Sequence, residues 1–160
     1  MKGPLVAVVG GSTCTAQEAE WANAVGRLIA ERGAVLLCGG LGGVMEAAAS
    51  GAKAAGGLTI GLLPGNDAAD ANASIDVALA TGMGEMRNAL IVRAAHAMIA
   101  IGGGWGTLSE IALARRTNTP VVGLHDAFGA AVAIHREERP EDAVRWALEQ
   151  ASRPGGIMDA

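Results

Sequence analysis

Ala97-Met-Ile-Ala-Ile-Gly-Gly-Gly-Trp-Gly-Thr-Leu-Ser-Glu110 joins three signals in one short stretch. An unbroken apolar run, Ala97 to Ile101, is followed by Gly102, Gly103, Gly104 and Gly106. Thr107 comes next, and then Leu108, Ile111, Ala112 and Ala114 at helical spacing. This order predicts a buried strand, a tight glycine loop and a helix start. Such a junction offers free backbone N–H groups at the positive end of a helix, where an anion is stabilised. Glycine lets a ligand approach the backbone with no Cβ between them.

The same pattern recurs outward from this stretch. Leu5 to Val9 reads as a buried strand and runs into Gly10-Gly-Ser-Thr-Cys14. Thr15 and Glu18 have the spacing of a capping box, so a helix begins there. Its apolar face is Trp21, Val25, Leu28 and Ile29, and Gly33 stops it. Ala34 to Cys38 is a second strand, and Gly39-Gly-Leu-Gly-Gly43 leads into an alanine-rich helix carrying Met45, Ala48, Ala49 and Ala52. Leu58 to Leu63 is a third strand, Asn66 to Ser74 a small polar loop expected to be mobile, and Ile75 to Leu79 a fourth strand. A helix is expected from about Glu85 to Ala95. After the opening stretch, whose helix runs to about Arg116, Val121 to Leu124 is a strand. Ala131 to Ile134 reads as a short strand within the ambiguous segment from His125 to Arg139. Pro140 opens a last helix with Val144, Ala147, Leu148 and Ala151 on its apolar side, and the tail from Arg153 is left unassigned.

Solidly apolar strands alternating with helices imply a parallel sheet covered on both faces. The expectation is an α/β, Rossmann-like doubly wound fold forming one three-layer domain over residues 1–160. In such sheets ligands bind beyond the C-terminal strand ends, where strand order reverses. Each glycine loop leaves the C-terminal end of a strand, so Gly10, Gly11, Ser12, Gly39, Gly40, Gly42, Gly103, Gly104, Gly106 and Thr107 are candidate phosphate contacts. None of the loops is a GxGxxG dinucleotide fingerprint or a Walker loop, which disfavours NAD binding and NTP hydrolysis.

Composition narrows the classes further. The net charge of -4, with only Lys2 and Lys53 as lysines, argues against a nucleic-acid surface. Cys14 and Cys38 form no CxxC, which fits a reduced, cytoplasmic setting without thiol-redox or zinc chemistry. No run is long enough to span a bilayer, and Leu5 to Val9 is too short for a signal peptide. His96, His125 and His135 share no metal spacing; the first two, beside strands, read as hydrogen-bonded structural residues.

Two charged residues stand out. Arg87 lies near the start of a helix, where a cation opposes the dipole, so an anionic partner is a natural reason for it. Glu110 is accounted for equally by structure, because Thr107-Leu-Ser-Glu110 has capping-box spacing. Trp105 either stacks on a flat ring or plugs the glycine loop against a neighbour.

Arg87, the interval to the glycine loop, and Gly103-Gly-Trp-Gly-Thr-Leu-Ser-Glu110 resemble the LOG ("Lonely guy") superfamily of Rossmann-like proteins. Its signature is PGGxGTxxE preceded by an arginine helix, and many members have carried the label "lysine decarboxylase-like". The resemblance runs from Val8-Val-Gly-Gly11 through Gly39 to Gly43 to Pro120-Val-Val-Gly123. It implies the catalytic roles for Arg87 and Glu110, and phosphate contacts from Gly103, Gly104, Gly106 and Thr107. The cytokinin-activating branch cuts the N-glycosidic bond of nucleoside 5'-monophosphates. Here Gly102 replaces the motif's proline and Asn88 replaces the lysine after the arginine. That combination is similar to the short bacterial branch that includes molybdenum cofactor carrier-like proteins.

Two functions follow from the resemblance. One is a phosphoribohydrolase, with Glu110 stabilising an oxocarbenium-like state and aligning water, and Arg87 holding base or phosphate. The alternative is a non-catalytic carrier or sensor holding a nucleotide monophosphate or the molybdenum cofactor, with Asn88 and Trp105 among the ligand contacts. No cofactor or metal is required for either. Pyridoxal-phosphate decarboxylation is rejected, because Lys53 has no motif around it to make a Schiff base. The resemblance also implies a homodimer or homotetramer, and the alanine face of the helix after Thr107 (Ala112, Ala114) suits subunit packing.

Overall fold

The computed structural model describes residues 3–125, 128 and 131–153. Seven strands form one sheet: β1 (Leu5–Gly10), β2 (Val35–Cys38), β3 (Thr59–Leu63), β4 (Val77–Ala80), β5 (Ala97–Ile101), β6 (Val121–Leu124) and β7 (His135–Glu137). Five helices connect or flank them: α1 (Ala16–Glu31), α2 (Val44–Ala54), α3 (Asn88–Ala94), α4 (Trp105–Arg116) and α5 (Pro140–Ala151). The sheet order is β4-β3-β2-β1-β5-β6-β7, and every neighbouring pair is parallel. The chain is therefore an α/β, Rossmann-like domain.

Alternation within each strand builds two cores. Val6 and Val8 of β1, Leu36 of β2 and Ile99 and Ile101 of β5 face α1, α2 and α5, where Val25, Ile29, Ala48, Val144 and Ala147 meet them. Ala7, Val9, Leu37, Met98 and Ala100 face the opposite way, onto Ile91 and Val92 of α3 and Ile111 and Ala114 of α4. Both faces of the central strands are dry, which is why they read as continuous apolar runs. The Thr15–Glu18 capping box is present, with Thr15 Oγ1 accepting from the Glu18 N–H at 3.1 Å and Glu18 Oε2 accepting from the Thr15 N–H at 2.9 Å. α1 and α2 lie so close that a Cβ on Gly26 would collide with the Ala48 carbonyl. Strands β1 to β4 step outward in one direction; β5 then returns to the other side of β1. The crevice between β1 and β5 is the point where strand order reverses.

Several expected boundaries move. β4 begins at Val77 because Asp76 is engaged sideways, its carboxylate accepting from the Thr59 N–H at 3.1 Å and hydroxyl at 3.0 Å. The loop before it is anchored: Asn72 Nδ2 donates to the Leu41 carbonyl at 2.8 Å, and Thr59 Oγ1 donates to the Ser74 carbonyl at 2.6 Å. The helix expected from about Glu85 is a 3₁₀ turn, Gly84–Arg87, running into the shorter α3. The strand expected at Ala131 to Ile134 is instead β7, at His135–Glu137. β7 is a polar edge strand, which an apolar-run criterion passes over, while Val132 and Ile134 pack from a loop against the second core. The tail beyond Arg153 lies outside the described residues.

Smaller expectations resolve the same way. Lys53 pairs with Asp76 at 3.3 Å and donates to the Ala73 carbonyl, a structural use of the amine. His96 Nδ1 accepts from the Leu5 N–H at 3.1 Å. His125 stacks on Trp21 at 3.7 Å and pairs with Glu138, and His135 stacks on Trp146 at 4.6 Å. Ala114 is buried in the second core whereas Ala112 is exposed, so the two do not share one outward alanine face on α4. No helix among the described residues is long and apolar enough to cross a membrane.

Candidate functional site

The loops after β1, β2 and β5 meet around one cavity of about 540 Å³ at the C-terminal edge of the sheet, at the strand-order reversal. Gly10, Gly11, Ser12 and Thr13 come from the first loop, and Gly39 and Leu41 from the second. Gly104, Gly106, Thr107 and Glu110 come from the β5 loop and α4, and Glu85, Arg87 and Asn88 from the turn into α3. Met45 and Pro64 complete the lining. That volume is within the range that encloses a small organic ligand.

The start of α4 brings an uncapped helix end to the cavity. Its N-cap is Gly104, which has no side chain to cap with, and the helix begins at Trp105. The N–H groups of Trp105, Gly106 and Thr107 therefore lack intrahelical acceptors. A Cβ on Gly104 or Gly106 would meet nothing within 4 Å, so neither glycine is demanded by packing against the protein. This overturns the capping-box reading of Thr107-Leu-Ser-Glu110. Gly102 and Gly103 take positive φ (53° and 102°), which turns the chain early and places Thr107 inside the first helical turn. Thr107 and Glu110 are consequently buried, at 3% and 6% exposure.

Arg87 is buried rather than a surface cation, with 8% exposure. Its Nη1 donates to Asn88 Oδ1 at 2.6 Å and its Nη2 to the Gly39 carbonyl at 3.4 Å. Its Nε is buried with no hydrogen-bond partner. A Cβ on Gly39 would come within 2.7 Å of Arg87 Nη2 and of Met45 Sδ, so that glycine makes room for the guanidinium. Asn88 Nδ2 donates to Ser109 Oγ at 3.2 Å, and Ser109 Oγ donates to the Gly106 carbonyl at 2.6 Å. This relay fixes the arginine relative to the first turn of α4. Ser109 was not among the sequence candidates; its only sequence signal is its place beside Glu110.

The electrostatics are those of a buried, mixed site. Burial pushes the Glu110 carboxyl up to about 7, against the opposing pull of Arg87. Burial also lowers Arg87 from the ordinary arginine range, with Glu110 and Cys38 working the other way. The Cys38 thiol, under the arginine, is raised by burial to about 11 and is therefore neutral.

Not every sequence candidate lines the cavity. Gly40, Gly42, Gly103 and Trp105 do not. The Gly40 carbonyl instead accepts from the Asn72 backbone N–H at 2.9 Å. Trp105 is 87% exposed, so it does not plug the loop. Thr13, Leu41, Met45, Pro64 and Glu85 line the cavity without having been singled out in the sequence. Among the described residues, no group of three or more His, Cys, Asp or Glu side chains gathers to hold a metal ion.

The SLOG cluster4 family matches residues 4–154. The chain belongs to this family. Membership agrees with the LOG-like Rossmann resemblance read from the Arg87 to Glu110 segment. An uncharacterized protein of Archaeoglobus fulgidus is 41% identical over 151 residues, 94% of this chain and 99% of that one. The molybdenum cofactor binding protein of Rippkaea orientalis superposes with a TM-score of 0.85 at 37% identity, covering 91% of this chain and 96% of that one. The molybdenum cofactor carrier protein of Chlamydomonas reinhardtii gives 0.84 at 30% identity, covering 95% and 100%.

Proposed function

We propose that this SLOG cluster4 protein binds a phosphorylated small molecule at the C-terminal edge of its sheet and carries it intact, with the molybdenum cofactor as its cargo. The observation that carries this reading is the full-length likeness, at 30% and 37% identity, to one protein named as a carrier and one as a binder of that cofactor. The cavity fits such cargo on its own terms. A phosphate is stabilised by the uncapped N–H groups of Gly106 and Thr107 and by the positive end of α4. Leu41, Met45 and Pro64 give the same cavity an apolar lining that suits a ring. Arg87, held by Asn88 and the Gly39 carbonyl, supplies a fixed positive charge and an unused Nε–H. Native mass spectrometry of gently purified protein tests the reading: an intact bound mass is expected, and split products alone would count against carriage.

Hydrolysis of nucleoside 5'-monophosphates is the second reading, favoured by the placement of Arg87 and Glu110 in one cavity. A carboxyl titrating near 7 is half neutral at neutral pH, which weakens it as an anionic stabiliser. Release of free base from AMP, above that of a Glu110→Ala control, would establish turnover. We also infer a homodimer or homotetramer. Its support is the run of exposed apolar side chains Val77, Leu79, Met83, Met86 and Leu90 along β4 and the turn into α3.

A further inference from the structure

Glu110 is 6% exposed and lines the cavity, and no hydrogen bond or ion pair joins its carboxyl to a side chain or backbone group among the described residues. A buried carboxyl with no hydrogen bond to its oxygens is costly when ionised and comfortable when neutral. The groups that face it come from every neighbouring element. Arg87, from the 3₁₀ turn, is the cation; its two Nη groups donate to Asn88 and Gly39, its Nε–H has no partner, and its pull on Glu110 is outweighed by burial. Cys38, from β2, is a neutral thiol. Asn88, from α3, is neutral and spent on Arg87 and Ser109. Glu85, also from the 3₁₀ turn, is an exposed carboxylate at the rim. β1 and α2 bring only Val8, Val9 and Met45 to this cavity, besides the glycine and hydroxyl loop.

An anionic phosphate at the start of α4 would share this cavity with Glu110. Two anions in one buried space repel, whereas a neutral carboxylic acid has an O–H to donate to a phosphate or ribose oxygen. We propose that Glu110 holds the ligand as the protonated acid, donating its O–H to the phosphorylated molecule, so that capture takes up one proton from solvent and a rise in pH releases the ligand. This rests on the phosphate-binding reading of the cavity and assigns its glutamate a binding role independent of any bond cleavage. No covalent bond forms or breaks apart from the transfer of that proton to the carboxylate.

Ribose 5-phosphate is a suitable probe, because it carries the monophosphate and has no glycosidic base to lose. Its dissociation constant is measured between pH 6 and pH 8 for the native protein and for Glu110→Gln, whose amide donates at every pH. The titration of the probe's own phosphate is common to both and cancels in the comparison. With the carboxyl titrating near 7, the protonated fraction falls about tenfold across that range, so native affinity falls about tenfold more than that of the variant. Parallel profiles overturn the proposal and leave phosphate binding standing. Failure of the native protein to bind the probe at any pH overturns both. Should the variant not fold, calorimetry of the native protein in two buffers of different ionisation enthalpy counts the same proton. Uptake at pH 7 of about half a proton beyond the phosphate's own share supports the proposal, and no such excess refutes it.

Discussion

Replacing Glu110 with glutamine should make the protein more stable at alkaline pH, although it alters a buried ionisable group of the site. The folded carboxyl titrates near 7 and the unfolded one at its ordinary 4.5. Because the folded value is the higher, the folded state holds its proton more tightly. The native protein therefore keeps its full stability contribution from this group below pH 4.5 and loses it progressively as pH rises through 7. Each tenfold change in the proton equilibrium corresponds to roughly 1.4 kcal/mol, so the ionised form is destabilised by about 3 kcal/mol once pH exceeds 7. Glutamine has nearly the same shape and never ionises. Urea unfolding of both proteins at pH 5, 6, 7 and 8.5 separates the effect from every other titrating group, since those are common to the pair. The variant's advantage should grow with pH and level off at about 3 kcal/mol above neutrality. A difference that stays flat, or that favours the native protein more strongly as pH rises, would refute the claim that burial of Glu110 outweighs the pull of Arg87.

Gly26→Ala should cost about 1–3 kcal/mol in urea unfolding, because its Cβ meets the Ala48 carbonyl where α1 and α2 touch. Asn88→Ala should cost about 1–3 kcal/mol by stranding Arg87 Nη1 and should weaken binding of ribose 5-phosphate, checked by denaturation and calorimetry together. Trp105→Ala should change stability by less than about 0.5 kcal/mol, since the ring is 87% exposed; a simultaneous loss of ligand affinity would identify it as a stacking platform. Light scattering at micromolar concentration should show no monomer, and Leu79→Glu should produce one by charging the exposed apolar run; an unchanged monomeric mass for both would exclude that surface.

Much of the candidate site could be read from local pattern. The β1, β2 and β5 loops converge because parallel strands present their C-terminal ends along one edge, a consequence of topology class alone. Other features could not be read that way. Gly39 looks like any loop glycine in the sequence, and its need is set by Arg87, 48 residues away. Glu110 has capping-box spacing from Thr107, yet the positive φ of Gly102 and Gly103 starts the helix two residues before Thr107 and carries the glutamate inside. β7 escaped because its residues are polar; its pairing depends on the open edge of β6 and on the Trp146 ring against His135.

Hydrophobic period, capping chemistry and the glycine punctuation settle the order of strands and helices, because each acts over a few residues of chain. From those, the parallel sheet and the edge that carries the loops follow directly. Whether Arg87 and Glu110 are solvated or buried, which of the loop residues reach the cavity, and how the buried acid is left without a donor depend on segments far apart in the chain. Desolvation is a property of the whole neighbourhood in space, so the protonation behaviour of this site arises only once the sheet has brought β2, α3 and α4 together.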